Sequence, residues 1–122
     1  MADLGGGTPG PAPAPGRPTI STHLLDTGTG RPAAGVHVTL YRLADDGRPL
    51  RLTQALTDDD GRVRDLLDRP LATGTYRLEV NLAGRGGFFE RAAVDFRVVD
   101  AERSHHVPLL LAPFSMTTYR GS

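Results

Sequence analysis

A chain of 122 residues with 14 basic side chains, 14 acidic ones and no cysteine has room for one small domain, which buries roughly two-thirds of the surface its unfolded form exposes. Balanced charge leaves no basic stripe to hold phosphates, so nucleic acid is not an expected partner. Without cysteine, disulfide cross-links and thiolate chemistry are excluded, and the composition suits a reducing compartment.

The first eighteen residues, MADLGGGTPGPAPAPGRP, are dominated by glycine and proline, which neither join a ladder nor hold a helix. They read as a disordered arm over 1–18, with the folded domain over 19–122. They lack the basic region and apolar core of a secretory leader, and no later stretch approaches the roughly 18 apolar residues needed to cross a bilayer. A soluble, cytoplasmic protein with no membrane partner is the expectation.

From Thr19 onward apolar residues recur with period two in short runs separated by Gly, Pro, Asp and Asn, the pattern of half-buried strands. ISTHLLD, from Ile20 to Asp26, is a first strand and TGTGRP a turn. In VHVTLYRL, Val36, Val38 and Leu40 share one face, with His37, Thr39 and Tyr41 on the other. DDGRP turns the chain into LRLTQALT, and DDDGRV leads to a short strand over 63–66. GTYRLEVNL sets Tyr76, Leu78, Val80 and Leu82 on one face, and AGRGG breaks it. AVDFRVVD, HHVPLLL and MTTYRG complete the set. Seven to eight short strands with turn signals between them and little or no helix predict an all-β, two-layer antiparallel β-sandwich.

HHVPLLL departs from the inward-apolar, outward-polar rule, because Pro108 and Leu110 oppose Val107, Leu109 and Leu111. A strand apolar on both faces is covered on both, which points to an oligomer that uses this strand. The four histidines are His23, His37, His105 and His106. Adjacent strand residues point to opposite faces, so His105 and His106 do not share a metal, and no metal site is expected. Residue types alone make His23 a structural histidine and His37 a solvated one. They make Arg62 a turn arginine paired with one of Asp58 to Asp60, and Tyr119 and Arg120 part of a frayed end. No nucleophile elbow, phosphate loop or dinucleotide fingerprint is present, and this pattern names no reaction.

The strings STHLLDTGTGRPAAGVHVTLYRL, TDDDGRV, GTYRLEV, HVPLLLAPF and the terminal TTYRGS together resemble the transthyretin family, in its 5-hydroxyisourate hydrolase branch, over Ile20 to Ser122. The middle strings are shared by many prealbumin-like sandwiches. The closing YRGS is the mark that separates the hydrolases from the hormone-carrying transthyretins. The resemblance implies a homotetramer, a dimer of dimers, with active sites in the dimer-dimer cleft. It implies hydrolytic opening of 5-hydroxyisourate, the product of urate oxidation, to 2-oxo-4-hydroxy-4-carboxy-5-ureidoimidazoline without a cofactor. The catalytic residues carried over are His23, Arg62 and His106. Substrate binding falls to His23 and Arg62 together with Tyr119, Arg120, Gly121 and Ser122. Which histidine is the base stays open. A rival reading is a non-catalytic carrier that binds a small ligand in the same channel, with Pro108 and Leu110 as apolar wall. The chain departs from the family in two places: Ser104 replaces a usual histidine, and the connection around Arg85 is shorter than one that commonly carries a short helix.

Overall fold

Alternating burial organises the chain into nine strands in a computed structural model that describes residues 17–121. They are β1 Ile20–Asp26, β2 Arg31–Pro32, β3 His37–Leu43, β4 Pro49–Leu56, β5 Arg62–Val63, β6 Gly74–Asn81, β7 Arg91–Val98, β8 His105–Ala112 and β9 Ser115–Thr118. One sheet runs β4-β3-β6-β7, and the other runs β2-β1-β8-β9 with β5 also paired to β1. The two pack as a sandwich. Among the described residues there is no helix, and thus none long and apolar enough to cross a membrane.

The core is the set of faces that alternation predicts. Ile20, Leu24, Val38, Leu40, Leu78, Val80 and Leu109 are each 0% exposed, and burying one such side chain stabilises the fold by about 1.5–3 kcal/mol. Tyr76 joins them: its ring lies 5.9 Å from that of Phe96, and its hydroxyl donates to the Ala72 carbonyl at 2.7 Å, so its polar tip is satisfied.

The expected antiparallel sandwich stands, with one parallel pair within it: β1 and β8 run parallel from Ile20 opposite His105 to Asp26 opposite Leu111. A parallel pair needs a long crossover, and the whole second sheet supplies it. The strand expected over 63–66 pairs only at Arg62–Val63, opposite His23 and Thr22. Beyond it Leu66 turns its amide to the Ile20 carbonyl at 2.8 Å.

The connection around Arg85 carries turns alone. Leu82 N donates to Glu90 O at 2.9 Å, Phe88 N to Pro113 O at 2.7 Å, and Arg85 pairs with Asp26 at 3.1 Å, which docks the loop on the β8–β9 turn. Arg17, inside the expected arm, is held against the domain. Its guanidinium donates to Asp65 at 2.8 Å and to the Leu67 carbonyl at 2.9 Å, while the Thr19 hydroxyl also donates to Asp65. Residues 1–16 of that arm lie outside the described residues, as does Ser122.

Candidate active site

The outer face of the β2-β1-β8-β9 sheet gathers the residues at issue, because odd positions of β1 and even positions of β8 leave the core. In β1 the buried residues are Ile20, Thr22 and Leu24, so Ser21, His23 and Leu25 face outward. The registers then set three rows across the sheet. Ser21 lies opposite His106, and His106 opposite Gly121. Arg62 lies opposite His23, and His23 opposite Pro108. Pro32 lies opposite Leu25, Leu25 opposite Leu110, and Leu110 opposite Thr117. His23 and His106 are thus one strand across and two residues along, about 8 Å apart at the backbone.

Arg62 reaches this face through a turn built by Asp58. One carboxylate oxygen of Asp58 accepts the amides of Asp60 and Arg62, each at 2.9 Å, and Asp58 N donates to Arg62 O at 2.9 Å. The carboxylate thus serves backbone, and Asp60 pairs at 3.8 Å with Arg64. The expected pairing of Arg62 with these aspartates does not form: among the described residues its guanidinium has no hydrogen bond or ion pair. Gly61 closes the turn against β1. Its φ is +76°, and a Cβ there would stand 2.3 Å from the Leu24 carbonyl oxygen, so only glycine fits.

His106 is half-buried, with its Nδ1 2.8 Å from the Ser21 hydroxyl. Burial, reinforced by the positive charges of Arg62 and His23, holds its pKa below the ordinary imidazole value. The three side chains therefore share one electrostatic neighbourhood, with His106 neutral near pH 7. The half-buried His23 side chain has no hydrogen-bond partner among the described residues, unlike a structural histidine satisfied by its surroundings.

The terminal segment is fastened to this face at His106 and leaves the ladder beside Pro108. Gly121 N donates to His106 O at 2.8 Å and the Thr118 hydroxyl to Pro108 O at 2.9 Å, so alternate residues of β8 turn their polar groups toward the tail. Thr118 opposite Leu109 and Gly121 opposite His106 keep one register, which sets Tyr119 opposite Pro108. Proline has no N–H to offer there. The ladder stops at Tyr119 and Arg120, then resumes at Gly121. Tyr119 is left 55% exposed. Gly121 is held tightly, since a Cβ on it would meet His106 Cδ2 at 2.6 Å.

His105 faces inward and is 5% exposed, its Nδ1 without a partner among the described residues. It lines a cleft of about 230 Å³ between the sheets with Val94, Phe96, Tyr119 and Arg120, where His106 also reaches. That cleft includes neither His23 nor Arg62, so the outer face, open in one chain, is where the candidate residues meet. Ser21 escaped the sequence reading, which took Asp58 only as an ion-pair partner and Pro108 only as apolar wall. Parity could have found Ser21, two residues before His23, and the D-x-x-G-R spacing could have marked Asp58 as a turn cap.

A model of the HIUase/Transthyretin family matches residues 20–121, the span of all nine strands. The chain belongs to that family. A 5-hydroxyisourate hydrolase of Halalkalibacterium halodurans is 41% identical over 119 residues, which cover 84% of this chain and 97% of the relative. The structure of Klebsiella pneumoniae 5-hydroxyisourate hydrolase aligns with a TM-score of 0.74 at 37% identity, covering 86% of this chain and 99% of that one. Sea bream transthyretin, solved with thyroxine, aligns with a TM-score of 0.77 at 27% identity, covering 84% and 93%. The HIUase/Transthyretin fold thus carries both hydrolases and a thyroxine-binding protein, and the distinction between them lies in the side chains of the site.

Proposed function

We propose that this member of the HIUase/Transthyretin family is a 5-hydroxyisourate hydrolase that opens its substrate to 2-oxo-4-hydroxy-4-carboxy-5-ureidoimidazoline. The observation that carries the reading is the outer-face arrangement of His106, His23 and Arg62, whose guanidinium has no ion pair among the described residues, bordered by the tail that Gly121 fastens to His106. A carrier of apolar ligands has no use for this combination, and the relatives at about 40% identity bear the name of the enzyme.

The chemistry fits these groups. One imidazole takes a proton from water as the water oxygen bonds to the ring carbonyl carbon. Negative charge that gathers on the carbonyl oxygen is met by the Arg62 guanidinium, whose planar donors suit a polar, partly anionic ring. The carbon–nitrogen bond then breaks, and the leaving nitrogen takes up a proton from the second imidazole, which the first replaces with the proton it took from water. The carbonyl becomes the carboxyl of the product and the nitrogen ends its ureido group. Tyr119, Arg120 and Gly121 form the border that binds substrate, with the Tyr119 carbonyl freed from the ladder by Pro108, and Ser122 is assigned to substrate binding on the family resemblance alone.

The reading includes a homotetramer, a dimer of dimers, in which this outer face meets another copy. Its support is the apolar row of Pro32, Leu25 and Leu110 beside the polar rows, an unusual strip to leave in water. A cytoplasmic setting is proposed on the absence of cysteine.

The test is direct. With 5-hydroxyisourate generated by urate oxidase, the purified protein should accelerate decay of its absorbance well beyond the spontaneous rate, and an unchanged rate refutes the hydrolase. Replacing His106 by Asn should remove roughly 100-fold or more of the acceleration with the elution volume on size exclusion unaltered.

A further inference from the structure

We propose that Ser21 is a positioning residue that holds His106 in the tautomer with a bare Nε2 on the open side of the sheet, which makes His106 the group that takes the proton from water. The proposal rests on the hydrolase reading and names the base that reading leaves open.

Two contacts fix the ring. Ser21 and His106 are register partners across the parallel β1–β8 pair, and Ser21 Oγ lies 2.8 Å from His106 Nδ1. At the opposite edge the ring lies over Gly121, where an added Cβ would come within 2.6 Å of Cδ2 and 3.1 Å of Cγ. Nδ1 and Cδ2 are the two ring atoms bonded to Cγ, so contact at both fixes rotation about the Cβ–Cγ bond. A half-turn of the ring would put carbon against the serine hydroxyl and forfeit the hydrogen bond. Nε2 and Cε1 are left as the outer atoms.

A neutral imidazole has one N–H, and the hydrogen bond made by one nitrogen decides the state of the other. Free imidazole side chains favour the Nε2–H form, which would offer the substrate face a donor rather than a base. The Ser21 oxygen has lone pairs to accept Nδ1–H, and this leaves the Nε2 lone pair free. When an O–H bond of water breaks toward Nε2 as the oxygen bonds to the carbonyl carbon, the imidazolium keeps its Nδ1–H on Ser21, and that bond strengthens as charge develops. Among the described residues, Arg62 on β5 and His23 on β1 are the groups whose charge acts on the ring; the tail meets it at the uncharged Gly121, with Tyr119, Arg120 and His105 around the cleft that His106 also lines. Both fields keep His106 neutral before reaction, and neither chooses the tautomer.

The experiment is nitrogen-15 NMR of the full-length, substrate-free protein with labelled histidine, with kinetics on 5-hydroxyisourate alongside. Wild type should show His106 protonated at Nδ1 and bare at Nε2. Ser21→Ala should move the population to Nε2–H and lower kcat by roughly tenfold, the scale of one hydrogen bond, with KM little changed. The acid limb of its kcat profile should move to lower pH, because the imidazolium has lost its acceptor. Ser21→Thr, which keeps the hydroxyl, should restore tautomer and turnover. A wild-type spectrum with Nε2–H, or a Ser21→Ala variant with wild-type tautomer and acid limb, overturns the proposal. The wild-type spectrum decides even if Ser21→Ala fails to fold. An inactive wild type would defeat the hydrolase reading alone, since the spectra need no turnover.

Discussion

Asp58 and Gly61 show how single residues aim a site they do not touch. Asp58 directs one oxygen to two amides, and Gly61 lets the turn press against Leu24, whose amide donates to Gly61 O at 2.8 Å. Asp58→Ala leaves those amides without their acceptor in a part-buried turn, at a cost of about 1 kcal/mol. The measurement is the urea midpoint, and kcat/KM should fall with it because Arg62 loses its fixed origin. Gly61→Ala forces a positive φ on a residue with a Cβ and should cost about 1–3 kcal/mol or more, read as a lower melting temperature. His106 gives a pH signature of its own. Its folded pKa is lowered, so just below the ordinary value of about 6.5 the unfolded chain binds the proton that the folded chain refuses. Stability therefore falls as pH drops from above that value through the folded pKa. His106→Asn should flatten this part of the slope in urea titrations between pH 7 and about 5.

Among the elements, β8 and the tail that follows it make the clearest pair. Proline in a central strand removes one rung, and Tyr119 and Arg120 leave the ladder where Pro108 lacks its donor. Pro108→Ala should restore the rung: the amide at position 108 and those of the tail should exchange more slowly with deuterium, with a gain of about 1 kcal/mol in local stability, while turnover falls. Gly121→Ala should act conversely. The added methyl strikes the His106 ring and should cost roughly 100-fold in kcat/KM, with little change in melting temperature because the tail is outside the core. Such devices mark the limit of legibility in the chain itself. The inward faces of β3, β6 and β8 were readable because period two is a direct image of burial. The parallel direction of β1 against β8 was not, since alternation is the same whichever way a neighbour runs. β2 and β5, at two residues each, are too short to display a period. His23, Arg62 and His106 emerged from motif resemblance rather than from chemistry. As isolated letters, a strand histidine and a turn arginine look structural, and only the fold shows Asp58 occupied with backbone and Arg62 without an ion pair among the described residues.

For the whole molecule, the proposed assembly predicts that charge on the apolar row is disruptive. Leu110→Glu should reduce the tetramer to smaller species in sedimentation velocity, with activity lost and the far-ultraviolet spectrum of the sandwich retained, because Leu110 faces away from the core cluster. The parallel β1–β8 pair has a further consequence, in the order of events during synthesis. β1 ends at Asp26, yet its principal partner begins only at His105, so while the intervening strands are made it is a strand with unpaired polar groups along the side that β8 will fill. The β4-β3-β6-β7 sheet, built from hairpins and near neighbours, can pair much earlier, since long-range closure is the slow step. The sheet that bears His23 and Arg62 is therefore assembled last, by the same residues that deliver His106 and the tail, and a ribosome that stalls before His105 releases a chain with an open edge at β1, the kind that seeds aggregation.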